Sequence, residues 1–211
     1  MTLVAPEHRP TLREELAPLP APARWAIVAV LALALLGIVV GLRGGTASGD
    51  GTRILRSEPI AFNLRAPSAF VERPVQGDEL LRIERPGKDS LTVEPLALPP
   101  YRGDVGGVLP IVAARELEAL KQRFPALEPV EEGKARINKV AGYSLAFRAS
   151  RSPRLYGRLV LLPQPEPGAR EGVKLLLLAN PEAGAGKASA VGTSGQLKTP
   201  YRSFRFGTEG P

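Results

Sequence analysis

The stretch Phe147–Arg158, FRASRSPRLYGR, sets Arg148, Arg151, Arg154 and Arg158 within eleven residues. Guanidinium groups are planar, permanently charged and shaped to grip carboxylate or phosphate through paired hydrogen bonds. With Tyr156 between them, these arginines could form an anion-binding or lipid-headgroup patch at a turn. The competing reading is a solvated Arg-rich hairpin, the ordinary fate of surface charge.

The rest of the chemical inventory is sparse. The single histidine is His8, and there is no cysteine. The region beyond the long apolar run 25–42 therefore cannot build a Ser-His-Asp triad, a His-ligated zinc site or a thiol nucleophile. The segment AGAGKAS around Gly186 and Lys187 fails as a phosphate loop. Pro181 stands where the first glycine belongs, and Ala188 replaces the magnesium-binding Ser or Thr. No SxxK frame supports a Ser–Lys hydrolase. Glu131 and Glu132 are adjacent, so on a strand they point to opposite faces. These gaps point to a non-catalytic protein without metal or cofactor. The enzymatic alternative they leave is an envelope enzyme working with carboxylates alone.

The segment that decides where any such site sits is ARWAIVAVLALALLGIVVGLR. Trp25 to Leu42 is a run of 18 residues without charge or polar side chain. As a helix it would extend roughly 27 Å, close to a hydrocarbon core. It is apolar all round, Arg24 and Arg43 bracket it, and Trp25 sits where an interfacial aromatic belongs. A cleaved signal is the rival. The 24 preceding residues and the length of the run count against it, and Arg43 stands before the small-residue site GGTAS. The reading is one uncleaved signal anchor, with the short tail cytoplasmic and the long region extracytoplasmic. Gly37 and Gly41 have the GxxxG spacing of a helix–helix contact in the membrane.

Before the run, three basic residues balance three acidic ones, so the net charge of +7 belongs wholly to the region beyond it. Such a surface favours anionic neighbours: lipid headgroups, a wall polymer or, in an inverted topology with the domain in the cytoplasm, membrane or nucleic acid. In the preferred topology the partners are the bilayer and another envelope or membrane protein, with an anionic lipid or wall polymer as a further candidate and no nucleic acid.

The elements that must position these residues show in the periodicity. Residues 1–24 are Pro-rich and aperiodic, a disordered tail; 43–57, with GGTASGDGT, is a flexible tether. From residue 58 the period becomes two. Ile60, Phe62 and Leu64 alternate with polar or small residues, as do Leu81 with Ile83 and Leu91 with Val93, and ERPGKDS is a hairpin turn. Ala113, Leu117, Leu120 and Phe124 then recur at helical spacing between Pro110 and Pro125. Next, YSLAFRAS sets Tyr143, Leu145, Phe147 and Ala149 on one face, and RLYGRLVLLP and GVKLLLLAN read as central strands joined by the breaker-rich PQPEPGARE. After residue 180 the reading is a weak small-residue helix at best, then a short aromatic segment Tyr201–Phe206. The fold class is α+β, a mostly antiparallel sheet packed with helices.

This order of elements carries a resemblance. FNLRAPSAF, a helix, NKVAGYSLAFRA, YGRLVLLP, GVKLLLLA and a closing RSFRF are similar to the PsbP-like family, which includes the photosystem II extrinsic P subunit, Mog-type Ran-binding proteins and actinobacterial envelope proteins. The likeness spans residues 58–207, leaving 208–211 as a tail, and rests on apolar patterns and turns. It implies a binding or accessory module, often without enzymatic activity. It transfers no site residue, because the family has no shared active-site motif.

Overall fold

Strands form where branched and aromatic side chains alternate onto a face that another layer can cover. The computed structural model describes residues 51–124, 126–149, 154–181 and 186–209. The predicted tail 1–24, the span 25–42 with Gly37 and Gly41, tether residues 43–50 and Arg151 lie outside the described residues. No helix among the described residues is long and apolar enough to cross a membrane.

The predicted strands fall on β4 (Leu81–Arg85), β5 (Asp89–Ala97), β7 (Val140–Ala149), β8 (Leu155–Pro163) and β9 (Glu171–Ala179). In the β4–β5 hairpin Leu81 pairs with Val93 and Ile83 with Leu91, and the turn between them passes through Gly87 at φ 71°. Two further strands, β3 (Val71–Arg73) and β6 (Leu127–Ile137), complete a seven-stranded sheet of order β3-β4-β5-β9-β8-β7-β6, antiparallel throughout. The two most apolar strands, β8 and β9, lie inside the sheet, as their unbroken hydrophobic runs predict. Gly157 of β8 faces Phe147 of β7, and a side-chain carbon on the glycine would fall 2.1 Å from that ring. The missing side chain is what lets the aromatic lie flat across the sheet.

Each face of this sheet is covered differently. On one face α1 (Leu109–Arg123) buries Leu109, Val112, Ala113 and Leu120 against Leu145, Phe147, Leu159, Leu161 and Leu176. Each such large side chain contributes about 1.5–3 kcal/mol by leaving water. Pro110 opens the helix without losing a hydrogen bond, since the first N–H groups have no partner within the helix.

The opposite face is covered by a second, three-stranded sheet of order β1-β2-β10: β1 (Gly51–Arg56), β2 (Phe62–Pro67) and β10 (Arg205–Phe206). Phe62 and Leu64 pack there with Ile83, Val93, Val160, Leu175 and Leu177, joined by Tyr201 and Phe204 from the C-terminal segment. Phe62 and Phe204 stack at 5.6 Å, and Phe206 meets Phe204 edge-on at 5.4 Å.

One expectation is corrected here, and one that the sequence left open is answered. The tether predicted over 43–57 is, from Gly51 to Arg56, strand β1, which pairs with β2 along its whole length and packs Ile54 on the core. The segment after residue 180 holds a helix, α2 (Lys198–Ser203), within KTPYRS. Its buried Pro200 and Tyr201 fix it by packing, where its length alone could not.

Candidate functional site

Strand pairing determines which of the predicted arginines can meet. Arg148 of β7 lies directly across from Tyr156 of β8, and Arg154 just precedes β8. Arg148, Ala149, Arg154 and Tyr156 line a hollow of about 270 Å³. Arg148 is not free there. Its Nε and Nη2 donate to Glu128 Oε2 at 2.8 and 2.6 Å, and both side chains are more than half exposed. Such a pair contributes about 0–1 kcal/mol and halves the positive charge of the hollow.

Arg158 departs from the predicted patch altogether. Two residues beyond Tyr156, it shares that residue's side of the strand, and there it points into the core layer at 6% exposure. Its Nε donates to Val191 O at 2.8 Å, Nη2 to Ser189 O at 2.7 Å and Nη1 to Ser144 Oγ at 3.2 Å. The acceptors belong to the 3-10 turn Ala188–Ala190, to the residue after it and to β7. Arg158 therefore ties the C-terminal segment to the sheet and offers nothing to a ligand. Burial raises the nearby Tyr201 phenol above its ordinary value, although positive charge from Arg158 and Arg202 opposes the rise.

A larger concavity opens at the opposite end of β7 and β8. Two hollows of about 370 and 400 Å³ adjoin through Asp104, Val105 and Ala141. Tyr101, Lys139 and the loop Pro163–Gly168 wall the first; Lys134, Arg136 and Tyr143 wall the second. The Tyr101 hydroxyl donates to Ala169 O at 2.8 Å, holding the β8–β9 loop as one rim. Burial raises the Tyr143 phenol, and the adjacent Glu132 carboxylate adds to the rise by charge and hydrogen bonding. None of the ion pairs among the described residues involves Lys134, Arg136 or Lys139. The arrangement can hold an extended, partly anionic surface against two tyrosines. Sequence reasoning missed it, although the alternating cations of GKARINK were a signal.

Several carboxylates elsewhere are tied to cations. Lys174 Nζ sits 3.0 Å from Glu116 Oε2 on α1 and 3.2 Å from Glu94 Oε2 on β5. Burial alone would lower the Lys174 ammonium, but Glu116 and Glu94 outweigh it and hold it above its usual value. In a hollow lined by Gln76–Glu79, Arg82, Glu94 and Arg123, Glu79 pairs with Arg82. That pair and the Gln76 amide hold the Glu79 carboxyl below its usual value despite the desolvation that would raise it. Glu131 and Glu132 lie opposite Ala146 and Leu145 in turn and point apart as expected. Among the described residues no group of three or more His, Cys, Asp or Glu is placed to hold a metal.

No protein-family model matches the chain, and no curated protein matches its sequence. Among solved structures, cyanobacterial PsbP (CyanoP) from Synechocystis superposes with a TM-score of 0.54 at 13% identity, covering 77% of this chain and 95% of that one. LpqN of Mycobacterium tuberculosis, described as involved in cell envelope biogenesis, superposes with a TM-score of 0.52 at 11% identity, covering 75% and 91%. The Ran-binding protein Mog1p of Saccharomyces cerevisiae gives 0.48 at 11% identity over 75% and 96%. The fold is PsbP-like, as the resemblance implied.

Proposed function

From this PsbP-like fold as premise, we propose that the chain is a single-pass, membrane-anchored accessory or adaptor protein whose extracytoplasmic domain binds a protein partner at the cell envelope without catalysing a reaction. The observation that carries the reading is a PsbP-like domain that begins eight residues after an 18-residue apolar run, with LpqN, a protein involved in cell envelope biogenesis, among the structures of like fold. Carboxylates engaged by cations support a binding role over carboxylate-only chemistry. The groove between Tyr101 and Tyr143 suits a protein surface, since aromatic side chains supply large contact area at low conformational cost.

The chain has no cysteine, so a single cysteine is a clean reporter. Gln164→Cys, on the groove's rim, should react with a membrane-impermeant maleimide in intact spheroplasts, and the labelled protein should stay in the membrane after carbonate extraction. Labelling only after lysis would assign the domain to the cytoplasm, the inverted topology. Soluble labelled protein would make the run 25–42 a cleaved signal.

A further inference from the structure

The small three-stranded sheet shows most of its second face to solvent, with only its centre at Asn63 buried. Its register sets Arg53 of β1 directly opposite Arg65 of β2, and places Arg205 of β10 beside Asn63, with Leu55 on the other side of that asparagine. Phe62, Leu64 and Ile54 face the core, so the alternate residues Arg53, Leu55, Arg65 and Arg205 face outward, all exposed. Like charges directly opposite on neighbouring strands oppose folding. None of the ion pairs among the described residues involves these three arginines. Arg53 Nη2 donates to Thr208 O at 2.6 Å, and Asn63 Nδ2 donates to Gly207 O at 2.7 Å and Glu209 O at 3.2 Å, so residues 207–209 cross the face at Asn63 and leave the three arginines around it exposed. Leu55 is 42% exposed in the midst of these cations.

Resting on the membrane-anchored reading above, we infer that this face docks on anionic phospholipid headgroups. Eight residues, 43–50, separate Leu42 from Gly51, and a fully extended connection of that length spans about 30 Å. β1 is the first described element after the apolar run, and in the membrane-anchored reading the length of the connection limits how far it can stand from the bilayer. Within that reach each arginine strengthens attachment to an anionic leaflet by roughly five-fold, and three together on the order of 100-fold. Leu55 supplies an apolar side chain at headgroup depth, and the opposed arginines find counter-charge in the phosphates.

The test uses the full chain carrying Leu55→Cys, labelled with an environment-sensitive fluorophore and reconstituted in phosphatidylcholine vesicles with and without phosphatidylglycerol. The label should shift to the blue and be quenched by a lipid-borne quencher only when phosphatidylglycerol is present, and high salt should reverse both effects. The response should vanish in the Arg53→Gln/Arg65→Gln/Arg205→Gln variant. A label at Ile111→Cys, on the helix that covers the other side of the seven-stranded sheet, should not respond. A Leu55→Cys label indifferent to phosphatidylglycerol, or a response the triple variant keeps, overturns the docking face. So does a shift produced by a soluble polyanion but not by lipid, which assigns the face to a wall polymer. The triple variant should melt no lower than the parent; a large drop gives the arginines a folding role and also overturns the proposal. Flotation with neutral vesicles is the separate control. A chain that fails to float has lost its anchor reading, whereas one that floats with an unresponsive label has lost the docking face alone.

Discussion

Of the five residues grouped by the sequence at the β7–β8 turn, Arg158 has the most consequence and the least to do with ligands. Its guanidinium is buried with three acceptors, two of them main-chain carbonyls in a segment with little regular structure. Arg158→Met keeps the length and apolar stem but leaves those acceptors unpaired. The loss should be about 2–4 kcal/mol, a fall in Tm of roughly 5–15 °C for a domain of this size. Arg148→Gln and Arg154→Gln, both at the surface, should move Tm by no more than a degree or two. Thermal unfolding of the three variants checks the contrast. The sequence carried a warning, since Arg158 stands in a stretch that reads as a central strand. Its burial was not legible there, because an unbroken apolar run does not tell which layer covers each side of the strand.

At the scale of elements, legibility followed burial. β4, β5, β7, β8, β9 and α1 have one or both faces against the core, so their apolar periods are strong. β6 is eleven residues long, yet only Leu127 and Ile137, at its ends, are buried. It forms the edge of the sheet, with a register shift between Pro129 and Glu131 that flips its later residues to the other face. Charges and a proline on an exposed edge also discourage pairing with another chain. β1 and β3 are edges too, and their alternation is correspondingly faint. The groove went unseen because no one segment builds it.

The same scale holds the contact that clips α1 to the sheet, Lys174 between Glu116 and Glu94. The folded ammonium titrates above its ordinary value of 10.5, so its contribution is fully present below that pH and fades as pH rises through the folded value. The parent should therefore lose stability on going from neutral pH to above 10.5 more steeply than Lys174→Met does. Urea midpoints at neutral and strongly alkaline pH measure it; parallel curves would mean that Lys174 does not anchor the helix.

For the molecule as a whole, the described residues belong to one compact unit that includes β1, before residue 58. A fragment 49–211 should unfold in a single cooperative transition. A fragment beginning at Glu58 lacks β1, uncovers the long edge of β2 and loses the burial of Ile54. It should melt several degrees lower or aggregate, because an exposed edge is a template for pairing. Equal stability of the two fragments would show that β1 is an appendage. Calorimetry and light scattering decide between them.

The pairing of β5 with β9 joins Asp89 to Ala179, partners ninety positions apart, and β2 waits still longer for β10. Contacts so distant along the chain make folding slow, because loop closure must precede any reward. A ribosome adding about 5–20 residues per second needs roughly 5–20 s to bring β9 to its partner. Through that interval the hydrophobic faces of β4 and β5 have no central strand beside them. A chain emerging N-terminus first thus keeps β2 and the β4–β5 hairpin uncovered until β9 and β10 appear, an interval in which their bare edges are open to pairing with a neighbouring chain.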